Sequence, residues 1–339
     1  MKIFYFSENK EKGYDAGNKA RNDVEQILSI KYTSLFPYKY FSDKKFIMNR
    51  IITTCNIIKC LLKLNKKDRI IIQYPMKDGY NWMLPYICKI RKFIFIIHDL
   101  TELRSGIKYG KEIKRFIDTE YIISHNKNMT EYLVNCGIEK AKIFDLNIFD
   151  YIANNCIETN HHKDFELICF AGNLDKSKFL YNLPKNLLKN GINIYGKNVD
   201  KSLIKDGVNY LGAFDSEIIH NKLCGKFGLI WDGDECNTCT GKLGEYMKYN
   251  NPHKLSMYIV SGMPVITWEK AAIASFILNN NIGFVVKSLD EIVDKVCEID
   301  EEEYQIKRQN ILDIRNRIKK GKSLERLLIQ IEEKINKEN

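Results

Sequence analysis

Apolar β-branched and aromatic residues gather along this chain in runs of four to six, separated by longer stretches of helical spacing. The runs at Lys2–Ser7, Arg69–Gln73, Phe93–Ile97, Tyr121–Ser124, Phe165–Phe170, Ile192–Tyr195, Phe227–Trp231 and Val265–Trp268 predict strands. Strands alternating with helices predict two doubly wound α/β domains. The first opens with Lys2–Ser7, a loop holding Gly13, Tyr14, Asp15, Gly17 and Asn18, and a helix from about Lys19 to Leu28. The second repeats that order from Phe165, with the turn Ala171-Gly172-Asn173-Leu174. Between them the polar stretch Asn154–Asp164 reads as a linker. The expected units are residues 1–155, residues 164–315, and a terminal segment 316–339. That segment belongs to an amphipathic pattern from Ile311 to Ile335, broken near Gly321, that crosses back to the first domain.

Candidate chemistry sits at the ends of the predicted strands, where open α/β sheets bind ligands. After Phe227–Trp231 come Asp232-Gly233-Asp234, a loop, and Asn251-Pro252-His253-Lys254. Asn is a favoured N-cap and Pro suits the first helical position, so a helix is expected to start at Asn251 and to stop at Gly262. A lysine in the first turn adds full positive charge to a helix end already rich in unpaired N–H groups, which makes a phosphate site. An ordinary capped helix with a solvated lysine is the alternative. Phe93–Ile97 likewise delivers His98 and Asp99, one of which could take a proton from a hydroxyl. Asp99 with Glu102 equally resembles a capping pair that only starts the next helix. Ser124-His125-Asn126 forms a second polar cluster on that edge, and no third member completes a nucleophilic triad. Tyr195 and Gly196 end another strand, and Gly196 reads either as a donor contact or as an ordinary turn.

Charge changes the picture on one side only. Residues 1–150 hold 27 Lys and Arg against 17 Asp and Glu, and residues 151–339 hold 26 against 26, so the net +10 lies entirely in the first half. That half faces something anionic. The cations are dispersed and no DNA- or RNA-binding pattern is present, so nucleic acid is not an expected partner. The stretch Tyr38–Leu64 mixes Tyr, Phe and Lys ahead of an apolar helical pattern, which suits either lipid headgroups or a core-facing helix with a basic rim. Neither domain has Gly-x-Gly-x-x-Gly after its first strand, so a nicotinamide or flavin dinucleotide is not supported. Ten scattered cysteines fit free thiols in a reducing compartment, and Cys236-x-x-Cys239 lacks the second pair of a zinc site. No apolar run approaches a membrane span and no signal peptide is read, so the expected location is cytoplasmic, while an anionic membrane surface as partner of the basic first half would put it peripherally at the inner face.

Taken together, these stretches carry a resemblance. Asp15–Arg21, Ile97–Arg104, Ile123–Asn126, Ala171–Leu174, Phe227–Asp234 and Asn250–Lys254 resemble bacterial β-1,6-galactofuranosyltransferases of O-antigen and capsule assembly, within the GT-B fold of two Rossmann-like domains around a cleft. The resemblance implies UDP-galactofuranose as donor, a lipid-linked saccharide as acceptor, and inversion at the anomeric carbon. It implies Asp99 or His98 as base, and Gly17, Asn18, Gly172, Asn173, Tyr195, Gly196, Asp232, Asn251, His253 and Lys254 around the donor. The Glu-x7-Glu pair of many retaining relatives is absent, since that helix presents His253, Lys254, Ser256 and Met257. With lysine and a helix end for the diphosphate, no metal and no cofactor are expected. Self-association stays open. Transfer of glucose or another hexose, a nucleotide-sugar epimerase, and a non-catalytic nucleotide-sugar-binding partner are the competing readings.

Overall fold

The computed structural model describes residues 1–8, 16–38, 46–153 and 167–338. Asp15 and the linker Asn154–Asp164 lie outside them. Two six-stranded, all-parallel sheets form the two halves. The N-terminal sheet contains β1 (Ile3–Phe6), β2 (Thr33–Leu35), β3 (Arg69–Tyr74), β4 (Lys92–Ile97), β5 (Tyr121–Ser124) and β6 (Ile143–Asp145), in the order β2-β1-β3-β4-β5-β6. The C-terminal sheet contains β7 (Ile168–Ala171), β8 (Ile192–Tyr195), β9 (Val208–Tyr210), β10 (Phe227–Ile230), β11 (Val265–Trp268) and β12 (Gly283–Val286), in the order β12-β11-β10-β7-β8-β9. Strand order reverses beside β1 in the first sheet and beside β7 in the second. At such switch points neighbouring crossovers diverge and leave a crevice.

The cores follow from strand composition. Along β4, Phe93, Phe95 and Ile97 pack on one face while Ile94 and Ile96 pack on the other. A continuous apolar run therefore feeds two layers at once. The expected helix at Lys19–Leu28 extends over Ala16–Lys31. The helix Glu301–Ile318 buries Tyr304, Ile311, Ile314 and Ile318 in the C-terminal core. After a turn through Gly321, the helix Lys322–Glu338 buries Leu324, Leu327, Leu328, Ile331 and Ile335 against the N-terminal sheet. Its start is held by Asp150, whose carboxylate accepts from the Ser323 and Leu324 amides at 3.0 and 2.8 Å. The chain thus leaves the first domain and returns to it at one place. Among the described residues, no helix is long and apolar enough to cross a membrane.

Candidate active site

The C-terminal edges of both sheets line a single cleft of about 960 Å³. Every site residue expected from the sequence lines it: Gly17, Asn18, His98, Asp99, Gly172, Asn173, Tyr195, Gly196, Asp232, Asn251, His253 and Lys254. Their side chains do different things there.

On the C-terminal side, the helix His253–Val260 starts at the cleft with Lys254 in its first turn. Lys254 Nζ lies 3.1 Å from Asp232 Oδ1 and 4.6 Å from the centre of the Phe170 ring. Asp232 therefore holds the ammonium that an incoming anion would engage. Gly172 follows β7 beneath this lysine, and an added Cβ would meet Lys254 Cε and Phe170 Cζ at 3.2 Å. Gly196 has φ +148°, and a Cβ there would come within 1.8 Å of Gly172 O. The turns after β7 and β8 touch backbone to backbone, which only glycine allows at position 196. Tyr195 turns its hydroxyl away from the cleft, donating to Lys222 O and accepting from the Cys224 amide. It supports the sheet rather than presenting a side chain to a ligand.

Asn251 corrects the sequence expectation. The N-cap position belongs to Pro252, and no side chain caps the helix. Asn251 instead reaches across to the first domain, donating from Nδ2 to His125 O at 2.6 Å and Asn147 O at 2.9 Å. It accepts from Asn126 Nδ2 at 2.7 Å, and its amide donates to His125 Nδ1 at 2.9 Å. Asn251, His125 and Asn126 are buried, where an unpaired amide would be costly. Ser124-His125-Asn126 and Asn250–Lys254, separate motifs in the sequence, meet as two halves of one clasp. His125 also bonds Ile97 O through Nε2, at 3.1 Å. Both its ring nitrogens are engaged and burial lowers its pKa to about 4.

On the N-terminal side, His98 and Asp99 follow β4. The capping alternative for Asp99 fails: the helix Thr101–Arg104 has Leu100 at its N-cap, with no capping side chain. Buried Glu112 takes the capping role from a distance, accepting from the Thr101 and Glu102 amides at 2.9 Å. Asp99 faces the cleft with Oδ2 2.7 Å from Arg104 Nη1. Burial raises its pKa above the ordinary carboxylate value, against the opposing pull of Arg104. His98 donates from Nε2 to Gln73 Oε1 at 2.7 Å, which leaves Nδ1 carrying the lone pair. Burial, with Arg21, His125 and His253 nearby, holds its pKa well below the usual imidazole range. His98 is a neutral acceptor.

Several cleft residues escaped the sequence reading. Phe149 and Tyr151 form the floor, with His98 stacked on Phe149 at 5.7 Å and His253 stacked on Tyr151 at 5.1 Å. Their segment is too short to show periodicity. Arg21, Arg104, Lys176 and Lys197 add cations to the rim. Arg21 and Arg104 stood inside the recognised motifs, and no spacing singled them out. Cys236 and Cys239 are buried, and the Cys236 thiol donates toward Phe179 O and Asn182 O. Its pKa is pushed up to about 11 by burial.

Comparison with known proteins fits this geometry. The family model described as "Glucosyltransferase 3-like, N-terminal domain" matches residues 3–148, and its C-terminal counterpart matches residues 168–331. The chain is 35% identical over 315 residues to the β-1,6-galactofuranosyltransferase WbbI of Escherichia coli K12, covering 91% of both proteins. It is 26% identical to glucosyltransferase 3 of Streptococcus parasanguinis, covering 91% of this chain and 90% of that protein. Among solved structures, Anabaena HepE in complex with UDP superposes with a TM-score of 0.58 at 10% identity, covering 99% of this chain and all of that one. The outer-core galactosyltransferase WaaB gives 0.60 at 13%, covering 98% and 100%. At such identities the superpositions establish the fold, which is GT-B. Two parallel sheets around one cleft and family models spanning both halves make this chain a glycosyltransferase of the glucosyltransferase 3-like family.

Proposed function

We propose that the enzyme transfers galactofuranose from UDP-galactofuranose to a saccharide hydroxyl of a lipid-linked precursor at the cytoplasmic membrane face, with inversion. The observation that carries this reading is Lys254 in the first turn of its helix, above the Gly172 turn at the switch point, sharing one cleft with His98 and Asp99. The donor diphosphate lies on the helix end and exchanges for Asp232 as the partner of Lys254. The acceptor oxygen attacks the anomeric carbon as the bond to the β-phosphate breaks. Asp99 takes the hydroxyl proton, since burial raises its pKa above the ordinary carboxylate value while His98 is held at low proton affinity. His98 Nδ1 accepts a substrate hydroxyl. Lys254 and the first-turn amides absorb the charge that develops on UDP, so turnover runs without a divalent metal.

Two facts support a UDP-sugar: HepE is solved with UDP, and WbbI carries a galactofuranosyltransferase name. The glucosyltransferase relatives favour glucose as the second reading. A panel of UDP-galactofuranose, UDP-galactopyranose and UDP-glucose, with UDP release measured with and without acceptor, separates them. Acceptor-dependent release from UDP-galactofuranose supports the proposal. Preference for UDP-glucose transfers the assignment to glucose, sugar isomerisation without acceptor indicates an epimerase, and binding without turnover indicates a partner protein.

A further inference from the structure

The helix Phe46–Lys63 buries Thr53, Ile57 and Leu61 against the N-terminal domain, yet its outer face is also apolar. Ile47, Ile51, Ile58 and Leu62 recur at helical spacing and are 73%, 59%, 45% and 74% exposed, with exposed Met48 and Cys55 on the same stripe. Single exposed apolar residues are ordinary, but a stripe running the length of an 18-residue helix is a contiguous patch. The following segment is tied to this helix by Arg91, which donates to Leu61 O and Leu64 O. It adds exposed Trp82, Tyr86 and Ile90.

Charge around the patch is predominantly positive. Lys59, Lys63, Lys66, Lys67 and Lys89 are exposed, and Arg50 is half-buried. Between Phe46 and His98 the only carboxylates are Asp68, which is buried and accepts the Lys2 and Asn65 amides, and Asp78. A two-fold contact with a second copy would bring these lysines together with few carboxylates to offset them. Amphipathic aromatic and aliphatic side chains among lysines suit the boundary between headgroups and acyl chains.

We infer that this face of the N-terminal domain docks on an anionic lipid bilayer, with Ile47, Ile51, Ile58 and Leu62 entering the interface and Lys59, Lys63, Lys66 and Lys67 meeting the headgroup charge. The inference rests on the surface and is independent of the donor sugar. The test is co-sedimentation of the full chain with vesicles of phosphatidylcholine alone or with phosphatidylglycerol, at 0.1 and 0.5 M salt. Binding should require the anionic lipid and weaken at high salt. Replacing Lys59, Lys63, Lys66 and Lys67 with Gln should weaken it by about fivefold for each charge removed. Replacing Ile47, Ile51, Ile58 and Leu62 with Ser should lower it more than tenfold, while UDP affinity stays unchanged and reports an intact fold. No binding to anionic vesicles, or equal binding of wild type and the glutamine variant, would overturn the inference. So would lipid-free sedimentation in which the serine variant converts an oligomer to monomers, which would make a second copy the occupant.

Discussion

The two sheets reverse strand order at equivalent places, and the crevices there have opposite chemistry. Beside β7 the C-terminal crevice has a glycine turn, a helix end and Lys254, whose one close carboxylate partner among the described residues is Asp232. Beside β1 the N-terminal crevice, about 330 Å³, is lined by Glu8, Arg21, Glu25, Pro75, Lys77 and Asp78. Arg21 is spent on Glu8 at 2.7 Å and on Pro75 O at 2.6 Å. The C-terminal crevice presents a cation that an anion can claim from a carboxylate. The N-terminal one presents Glu8 paired with Arg21 and Glu25 held by the Ser7 hydroxyl and the Glu8 amide, an acidic lining that suits hydroxyl groups better than phosphate. On the proposed reading, the same topology serves the diphosphate in one half and sugar hydroxyls in the other. What differs is which side chains follow each central strand.

The sharpest way to break this contrast is at Asp99. If it is the base, Asp99→Asn should lower kcat by about a hundred- to ten-thousandfold with UDP affinity retained. The structure has removed the capping explanation, so a near wild-type rate would pass the role to His98, tested by His98→Ala. The rate should also fall on acidification through the raised pKa of Asp99, because the base must be ionised.

Lys254→Ala comes next. Loss of a charge-assisted contact to phosphate costs about 1.5–3 kcal/mol, or roughly ten- to a hundredfold in UDP affinity. Gly172→Val sharpens the same half: its Cβ starts 3.2 Å from Lys254 Cε and Phe170 Cζ, so its methyl groups must displace the lysine. Donor KM should rise severalfold with the melting temperature nearly unchanged, and an unchanged KM would remove the turn from the donor site.

The smallest effect lies where the halves join. Asp150 caps the returning helix, and burial raises its pKa to about 6. Its folded-state pKa thus exceeds the unfolded value near 3.9, so the native state binds the proton more tightly. Stability from this group is present at low pH and is lost as pH rises from about 4 to about 6. Melts of Asp150→Asn should show less decline over that window than the wild type, and parallel curves would contradict the assignment.

How much of this was legible in the sequence depends on how local each signal is. The eight strands expected from apolar runs are the interior strands of the two sheets. The four not foreseen, β2, β6, β9 and β12, are the edges, three or four residues long. An edge strand such as Thr33–Leu35 is only partly buried, so its composition is not forced toward Val and Ile. The Lys254 site was readable because a strand end, a proline and a first-turn lysine lie within about two dozen residues. Asn251 was misread because Asn-Pro is a strong local cap signal, while its actual partners, His125 and Asn126, lie about 125 residues away. Glu112 and Phe149 were invisible for the same reason.

The central claim is the division of labour between the halves, and calorimetric titration of UDP into Lys254→Ala and Asp99→Asn side by side tests it most directly. The account predicts roughly ten- to a hundredfold weaker binding to Lys254→Ala and unchanged binding to Asp99→Asn. Wild-type affinity in Lys254→Ala with lost affinity in Asp99→Asn would place the diphosphate in the other half of the cleft and contradict it.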